Sequence, residues 1–586
     1  MKKMTKFCLK TLALQGSLMC AVAHAQTDAG SILQQQSRQE NRQIDRLPEL
    51  PKESAPTTEK PLSGPRVVVK ALKFSGHDGL VSDTELDVLT ARWVGQEVDF
   101  AGLDRIARQT TDLLRSKKWF LAQAYLPQQD VTAGYIEIAI SAGHLDGASG
   151  QGRAFSVAAD TQKPVRLSPS FIDAVASNHL KPGAVANEAD LERALLLLGE
   201  VPGVTARSQL EPGVNAGATS VVLNMEEGPL WSGSVMADNQ GNRFTGNAQL
   251  NASLQVNDPQ GLGDQYILNA TRTDGLSLVR LGYSLPVSSD GLRLAASWSP
   301  MSYKIVQGLG VTAGLKGTSD TSALTLSYPF KRSRIDNLYG SLTLTRKSLK
   351  DDSNSGLLKN KLSQSVNANL SADQLDNWGG GGLLSGNIAW TAGHLDLSRL
   401  ESDRAADAIG YGTQGAFQKL SYGMNRLQKL SSSLNLMVNV YGQTGGKNLD
   451  SSEKFGLGGP SGIRAYPGGE GMGDSGWVGN VELRYDWQDL SSEKAGQVQL
   501  VAFYDAGRVR LHKDAGSLPI TTLSGLNSYG LAGWGFGANL SKSGSHAVRL
   551  VWAHKSGQNP GRSREGMDAD GNASASRMWL QGTWWY

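Results

Sequence analysis

Cysteine is almost absent from this chain, whose 586 residues include only Cys8 and Cys20. Both fall in an N-terminal stretch that reads as a secretory signal, with Lys2, Lys3 and Lys6 ahead of a mostly apolar run over residues 7–23. Ala23-His24-Ala25 then fits the small-x-small cleavage rule, so a signal peptide over residues 1–25 and a mature chain from Gln26 are expected. Met19 ahead of Cys20 does not fit a lipoprotein cleavage site. A mature chain without cysteine excludes disulfides, a thiol nucleophile and a cysteine-ligated metal. The eight histidines are scattered, with no pair at a zinc-ligand spacing. Neither a Gly-x-Ser-x-Gly elbow nor a phosphate-binding Gly-x-x-x-x-Gly-Lys-Ser/Thr loop is present. No residues remain to carry an enzymatic role, and neither cofactor nor metal is expected. The formal net charge of +3 gives no reason to expect nucleic acid as a partner. Nor does any later stretch approach the ~18 to 20 consecutive apolar residues of a membrane-spanning helix.

What the chain has instead is glycine, at 69 of 586 residues, well above the usual ~7%. It also has short segments of strict alternation. From Trp231 onward alternating strands and polar turns follow one another. Leu434, Leu436, Val438 and Val440 oppose Asn435, Asn439 and Gln443; Val481, Leu483, Tyr485 and Trp487 oppose Asn480, Glu482, Arg484 and Asp486. Aliphatic side chains outward and polar ones inward describe a water-filled transmembrane barrel. A soluble sandwich gives the same alternation, so this pattern alone does not separate the two. The last ten residues favour the barrel: Met578, Leu580, Trp584 and Tyr586 share one face and the final residue is aromatic. Such an end suits a membrane-interface girdle and recognition by the barrel assembly machinery. Residues 230–586 accommodate about sixteen strands of ~10 residues each.

Ahead of the barrel the composition changes three times. Residues 30–46 form a helix polar nearly all round, with Ser31 as its N-cap; such a helix suits a water-filled pore, while its composition equally fits a disordered tail. Residues 47–65 are rich in proline and charge and read as an extended linker. Next come a strand over residues 67–74, a helix opened by the Ser82-x-x-Glu85 capping box, and a helix carrying Leu103, Ile106, Leu113 and Leu114. Strands over residues 119–125 and 134–140 complete a small α+β unit. A second unit repeats the pattern. Ser168-Pro169 starts one helix and Asn187 another, whose inner residues are Leu191, Ala194, Leu195 and Leu198; strands over residues 205–210 and 220–225 follow.

The most informative stretch is the loop over residues 457–474, too glycine-rich for a helix or strand and bracketed by two alternating segments. Arg464 sits in its middle, within Ile463-Arg464-Ala465-Tyr466. Downstream, the strand over residues 497–507 puts Gln497, Gln499, Phe503 and Asp505 on one face and Val498, Leu500, Ala502 and Tyr504 on the other. With the apolar face toward lipid, Asp505 points into the lumen. A confined carboxylate needs a partner, and a guanidinium can engage it bidentately. Pairing of Arg464 with Asp505 would fold the loop back inside the barrel.

Ile463-Arg464-Ala465-Tyr466 followed by Phe503-x-Asp505-x-Gly507 resembles the Val-Arg-Gly-Tyr and Phe-x-Asp-x-Gly signature of the two-partner secretion transporters of the FhaC, ShlB and HecB type. These belong to the wider superfamily of POTRA-bearing outer-membrane barrels. Ala465 stands where that pattern has glycine. Residues 193–204 are similar to the family's membrane-proximal POTRA segment. Residues 238–246, 258–264 and 328–334 resemble turns of its barrel. The resemblance implies a signal peptide (1–25), an N-terminal plug helix (26–46), a linker (47–65), periplasmic POTRA domains (66–146 and 151–228) and a transmembrane barrel of about sixteen strands (230–586). It also implies a function: passage of a large unfolded exoprotein, adhesin- or haemolysin-like, from the periplasm to the cell surface. POTRA sheet edges would bind the substrate backbone, and outer-membrane lipid and the barrel assembly machinery would be further partners. An insertase for other barrels, or a passive porin, are the alternatives of related architecture.

Overall fold

The computed structural model describes residues 27–40, 66–158 and 165–586. The expected signal peptide, residues 26 and 41–46 of the expected plug helix, the linker 47–65 and residues 159–164 of the second expected unit lie outside the described residues.

The chain first forms helix α1 (Ala29–Glu40). Its N-cap is Asp28 and not Ser31: the Asp28 carboxylate accepts the Ser31 backbone N–H at 2.8 Å, while the Ser31 hydroxyl accepts the Asp28 N–H at 3.0 Å. An acceptor carboxylate satisfies the unpaired first-turn donors and complements the helix dipole better than a hydroxyl.

The first α+β unit begins with two short strands where one was expected. β1 (Val67–Val68) pairs with β3 (Glu97–Val98), whereas β2 (Ala71–Ser75) lies parallel to β5 (Tyr135–Ser141). Between them come α2 (Asp83–Thr90), with its Ser82/Glu85 capping box formed, and α3 (Phe100–Ser116). β4 is only Gln123–Tyr125. Trp119 turns instead, and its indole N–H donates to the Leu80 carbonyl at 3.1 Å, so the ring serves the core rather than a ladder.

The second unit adds β6 (His144–Leu145) and β7 (Phe155–Val157), both parallel to β9 (Ala218–Glu227), and β8 (Val204–Pro212), antiparallel to it. Helices α4 (Pro169–His179) and α5 (Glu188–Gly199) start at Ser168 and Asn187 as expected. Ala194 and Leu198 of α5 are buried, as is Leu197, which the sequence reading left out; Leu191 and Leu195 are half-buried at the edge of the same core.

Sixteen antiparallel strands then close a barrel, from β10 (Trp231–Asp238) to β25 (Ser576–Trp585), with β10 pairing β25 to seal it. Lipid-facing Leu342, Leu344, Val481, Leu483, Tyr485 and Tyr504 are exposed on the outer wall, while Asn480, Glu482, Arg484 and Asp505 are buried inside. The second unit docks on the adjacent rim of the barrel through α5. Arg193 reaches the Asp290 carboxylate at 3.1 Å and the Pro329 carbonyl at 3.0 Å, and Glu200 pairs with Arg332 at 2.5 Å. The segment singled out by its sequence, residues 193–204, is thus the joint between the second α+β unit and the barrel.

Candidate functional site

The loop over residues 446–474 joins β20 (Leu434–Gly445) to β21 (Ser475–Ser492) at the rim remote from the two α+β units. It does not stay there. Leu457, Ile463, Ala465 and Tyr466 are all completely buried, packed with Phe503, Val509, Tyr529 and Trp579 of the barrel's inner wall.

Its anchor is Arg464. The guanidinium donates to Asp505 through two parallel bonds, Nε to Oδ2 at 2.9 Å and Nη2 to Oδ1 at 2.7 Å, and the Arg464 backbone N–H adds a third at 3.0 Å. Nη1 reaches Glu482 at 2.5 Å, and Arg484 takes the other Glu482 oxygen at 2.8 Å. Two arginines thus balance two carboxylates, which is what allows four charges to be buried together. The guanidinium also lies 3.5 Å from the centre of the Phe503 ring, in stacking range. Asn480 bonds both the Asp505 carboxylate (2.8 Å) and the Gly462 carbonyl (3.0 Å), and the Trp579 indole holds the Arg464 carbonyl at 2.8 Å.

All seven residues expected at this site are brought together. Arg464, Asp505 and Phe503 form the ionic and stacked centre. Ile463 packs beside Gly507, where a Cβ would stand 3.2 Å from Ile463 Cδ1 and 2.5 Å from the Trp477 carbonyl, so glycine there gives the loop room. The φ of Ala465 lies outside the left-handed region, so alanine in place of glycine carries no backbone strain. The Tyr466 ring lies 5.0 Å from Lys555 Nζ. Residues missed from sequence are Glu482, Asn480, Trp579 and Lys555. Glu482 and Asn480 had been read as lumenal, but their partnership with the loop depends on strand register, which alternation alone does not set.

The loop tip has a second attachment. Glu470, buried, accepts the Asn559 amide at 2.9 Å and the Ala569 N–H at 2.7 Å, both from the loop between β24 (His546–Lys555) and β25. Burial, with Asp568 nearby, pushes its carboxyl up to about 7.

The loop base carries α1. Asp28 pairs with Lys359 at 2.8 Å and accepts the Ser451 hydroxyl at 2.8 Å, and Lys361 bridges Asp28 to Asp450. Gly30 packs so closely on Ser451 and Ser452 that a Cβ would lie 2.6 Å from the Ser451 hydroxyl. Further along, Gln35 accepts from Asn242 at 2.9 Å and Gln36 meets Gln249 at 3.4 Å. The helix therefore crosses the lumen from β16 (Asp336–Ser353) and β17 (Gly356–Asp376) to β11 (Gln249–Asn257).

A closed sixteen-strand barrel thus follows two small α+β units, with one loop folded into its lumen and a polar helix across it. Residues 217–540 match the profile of the haemolysin secretion/activation proteins ShlB/FhaC/HecB, and residues 67–143 match the ShlB-type POTRA domain. The chain belongs to the ShlB/FhaC/HecB family. Among curated relatives, the heme/hemopexin transporter protein HuxB of Haemophilus influenzae is 26% identical over 471 residues, covering 80% of this chain and 79% of its own. The outer membrane transporter CdiB of Escherichia coli is 27% identical over 508 residues, covering 83% and 81%. The fold is shared with the solved structures of CdiB from Escherichia coli (TM-score 0.68, 21% identity, 98% of both chains) and from Acinetobacter baumannii (TM-score 0.61, 17% identity, 99% of both). The protein is an outer-membrane transporter of the two-partner secretion type, with its POTRA domains in the periplasm, and it translocates an exoprotein.

Proposed function

We propose that the structure is the resting state of this transporter, in which the loop over residues 446–474 and helix α1 together close the pore, and that Arg464, Asp505 and Glu482 hold that state. The observation that carries the reading is the bidentate Arg464–Asp505 pair, which ties an otherwise glycine-rich loop to the barrel wall. Ile463, Ala465, Tyr466, Phe503 and Gly507 complete the seat.

The division into a plug (26–46), a linker (47–65), POTRA domains (66–146 and 151–228) and a barrel (230–586) gives each part a task. The POTRA domains receive a large unfolded exoprotein, adhesin- or haemolysin-like, as an added strand. Among the described residues β8 pairs only with β9, so its other edge offers backbone donors and acceptors to a passing chain with little demand on sequence. The chain does no covalent chemistry. Transport is driven by folding of the substrate outside, which prevents its return. The other partners are outer-membrane lipid, met by the aliphatic outer wall, and the barrel assembly machinery, which recognises the aromatic C-terminal strand.

The test is export of the exoprotein this chain serves, scored in medium and periplasm. Loss from the medium on deletion, restored by the intact gene and not by Arg464→Ala, supports the reading. Normal export by a membrane-inserted Arg464→Ala variant overturns the role of the loop, and unchanged export on deletion overturns the role of the chain.

A further inference from the structure

The loop meets the wall one strand at a time. In the register, Asn480 of β21 faces Asp505 of β22 (Gly496–Arg510), Asp505 faces Gly533 of β23 (Ser528–Lys542), and Gly533 faces Lys555 of β24. The loop runs along this row. The Gly462 carbonyl takes Asn480, Arg464 takes Asp505, Ala465 lies at Gly533, and the Tyr466 ring lies at Lys555.

Gly533 is the member of the row with no side chain. A Cβ built on it would stand 2.5 Å from the Cβ of Ala465 and 3.0 Å from the His554 carbonyl. The backbone does not require glycine there, because φ at Gly533 lies outside the left-handed region. The space is taken by the Ala465 methyl, which is completely buried. Ordinary carbon contacts are about 3.5 to 4.0 Å, so a methyl at position 533 would have to displace the loop by about 1 Å. The Arg464–Asp505 bonds, at 2.7 and 2.9 Å, would lengthen beyond useful hydrogen-bonding range.

We infer that Gly533 is a positioning residue for transport, a notch in the barrel wall that admits Ala465 and so sets Arg464 against Asp505. The inference rests on the proposed role of the loop in closing the pore. It also accounts for alanine at position 465: the wall supplies the room that glycine in the loop would otherwise leave.

The test compares Gly533→Ala, Ala465→Gly and the double variant in the full-length protein. Ion conductance in planar bilayers and export of the exoprotein are both measured, with outer-membrane amount as the control for assembly. Gly533→Ala should raise mean conductance and lower export at least tenfold, and the double variant should return to the level of Ala465→Gly alone on both readouts. Rescue is what a general disturbance of strand β23 would not give, since removing the Ala465 methyl relieves the loop contact and leaves the His554 contact in place. Wild-type behaviour of Gly533→Ala, or a double variant as defective as Gly533→Ala, overturns the inference. If Gly533→Ala does not reach the membrane, Ala465→Val overfills the notch from the loop side; it too should open the pore, and a closed pore overturns the notch. Failure of the wild-type chain to restore export would instead refute the transport reading, while the conductance comparison would still read the notch.

Discussion

Asp28 is the residue through which helix α1 is held, and its replacement gives a quantitative prediction. The carboxylate caps the helix, pairs with Lys359 at 2.8 Å and Lys361 at 3.8 Å, and accepts the Ser451 hydroxyl at 2.8 Å from the lumenal loop. Burial alone would raise its pKa, but the two lysines beside it hold the carboxyl well below the usual carboxylate range. Removing one partner of a buried ion pair costs about 3 to 5 kcal/mol. Here the lower end or a little less applies, because Lys361 keeps Asp450 and the Lys359 side chain is 38% exposed. Asp28→Asn retains a capping oxygen and loses the charge, so it should weaken helix docking by about 2 to 3 kcal/mol. At ~1.4 kcal/mol per tenfold, that is a rise of roughly 30- to 150-fold in the ratio of undocked to docked helix. Asp28→Ala loses the cap as well, worth about 1 kcal/mol, or roughly fivefold more. Single-channel recording in planar bilayers reads helix undocking as a rise in the ratio of conducting to closed time. The closed barrel does not involve Asp28, so heat-modifiable migration of the variants should match wild type. An open fraction unchanged in Asp28→Asn would refute the reasoning, since it would mean that these contacts do not hold the helix in the pore.

Two other perturbations are informative. Deleting residues 26–46 should raise conductance at least as far as Asp28→Ala, and equal conductance with wild type would show that the segment does not obstruct the pore. A pH titration reads Glu470, whose carboxyl rises from 4.5 to about 7 on burial. A raised carboxyl pKa stabilises the seated loop at low pH and withdraws that support as pH rises through 7, by about 3 kcal/mol in full. The neighbouring charges, Asp568 and Lys555, form their own ion pair. Conductance should therefore increase between pH 5 and about 8 in wild type and be flatter in Glu470→Gln; the same pH profile in both would remove Glu470 from the account.

How far the sequence disclosed this site depends on which physical rule each residue obeys. Alternation is local, so the inward positions of Glu482, Arg484 and Asp505 were legible from their own segments. Partnership is not local. Glu482 reaches Arg464 only because β21 and β22 are paired with Glu482 opposite Phe503, and a slip of one residue would turn the carboxylate toward lipid. The helix start shows the same limit on a smaller scale: both Asp28 and Ser31 can cap, and the three-dimensional neighbours Lys359 and Ser451 favour the residue that is charged. Short strands were the weakest reading, because β4 keeps only three residues once Trp119 turns into the core.

Ala465 brings these limits to one point. Read along the chain it departs from the family pattern, and the departure suggests a change in the loop backbone. The structure places the compensation in the wall, at Gly533, with φ ordinary at both residues. In a strand made of alternating inward and outward residues, Gly533 looks like any other small lumenal position, and its own segment gives no sign of which side chain it makes room for. The two are linked by the register that aligns Asp505 with Gly533 and by the Arg464–Asp505 pair that fixes the loop over that row. Arg464 and Asp505 are recognisable from sequence because each sits in its own local motif, whereas the notch beside them exists only through that register.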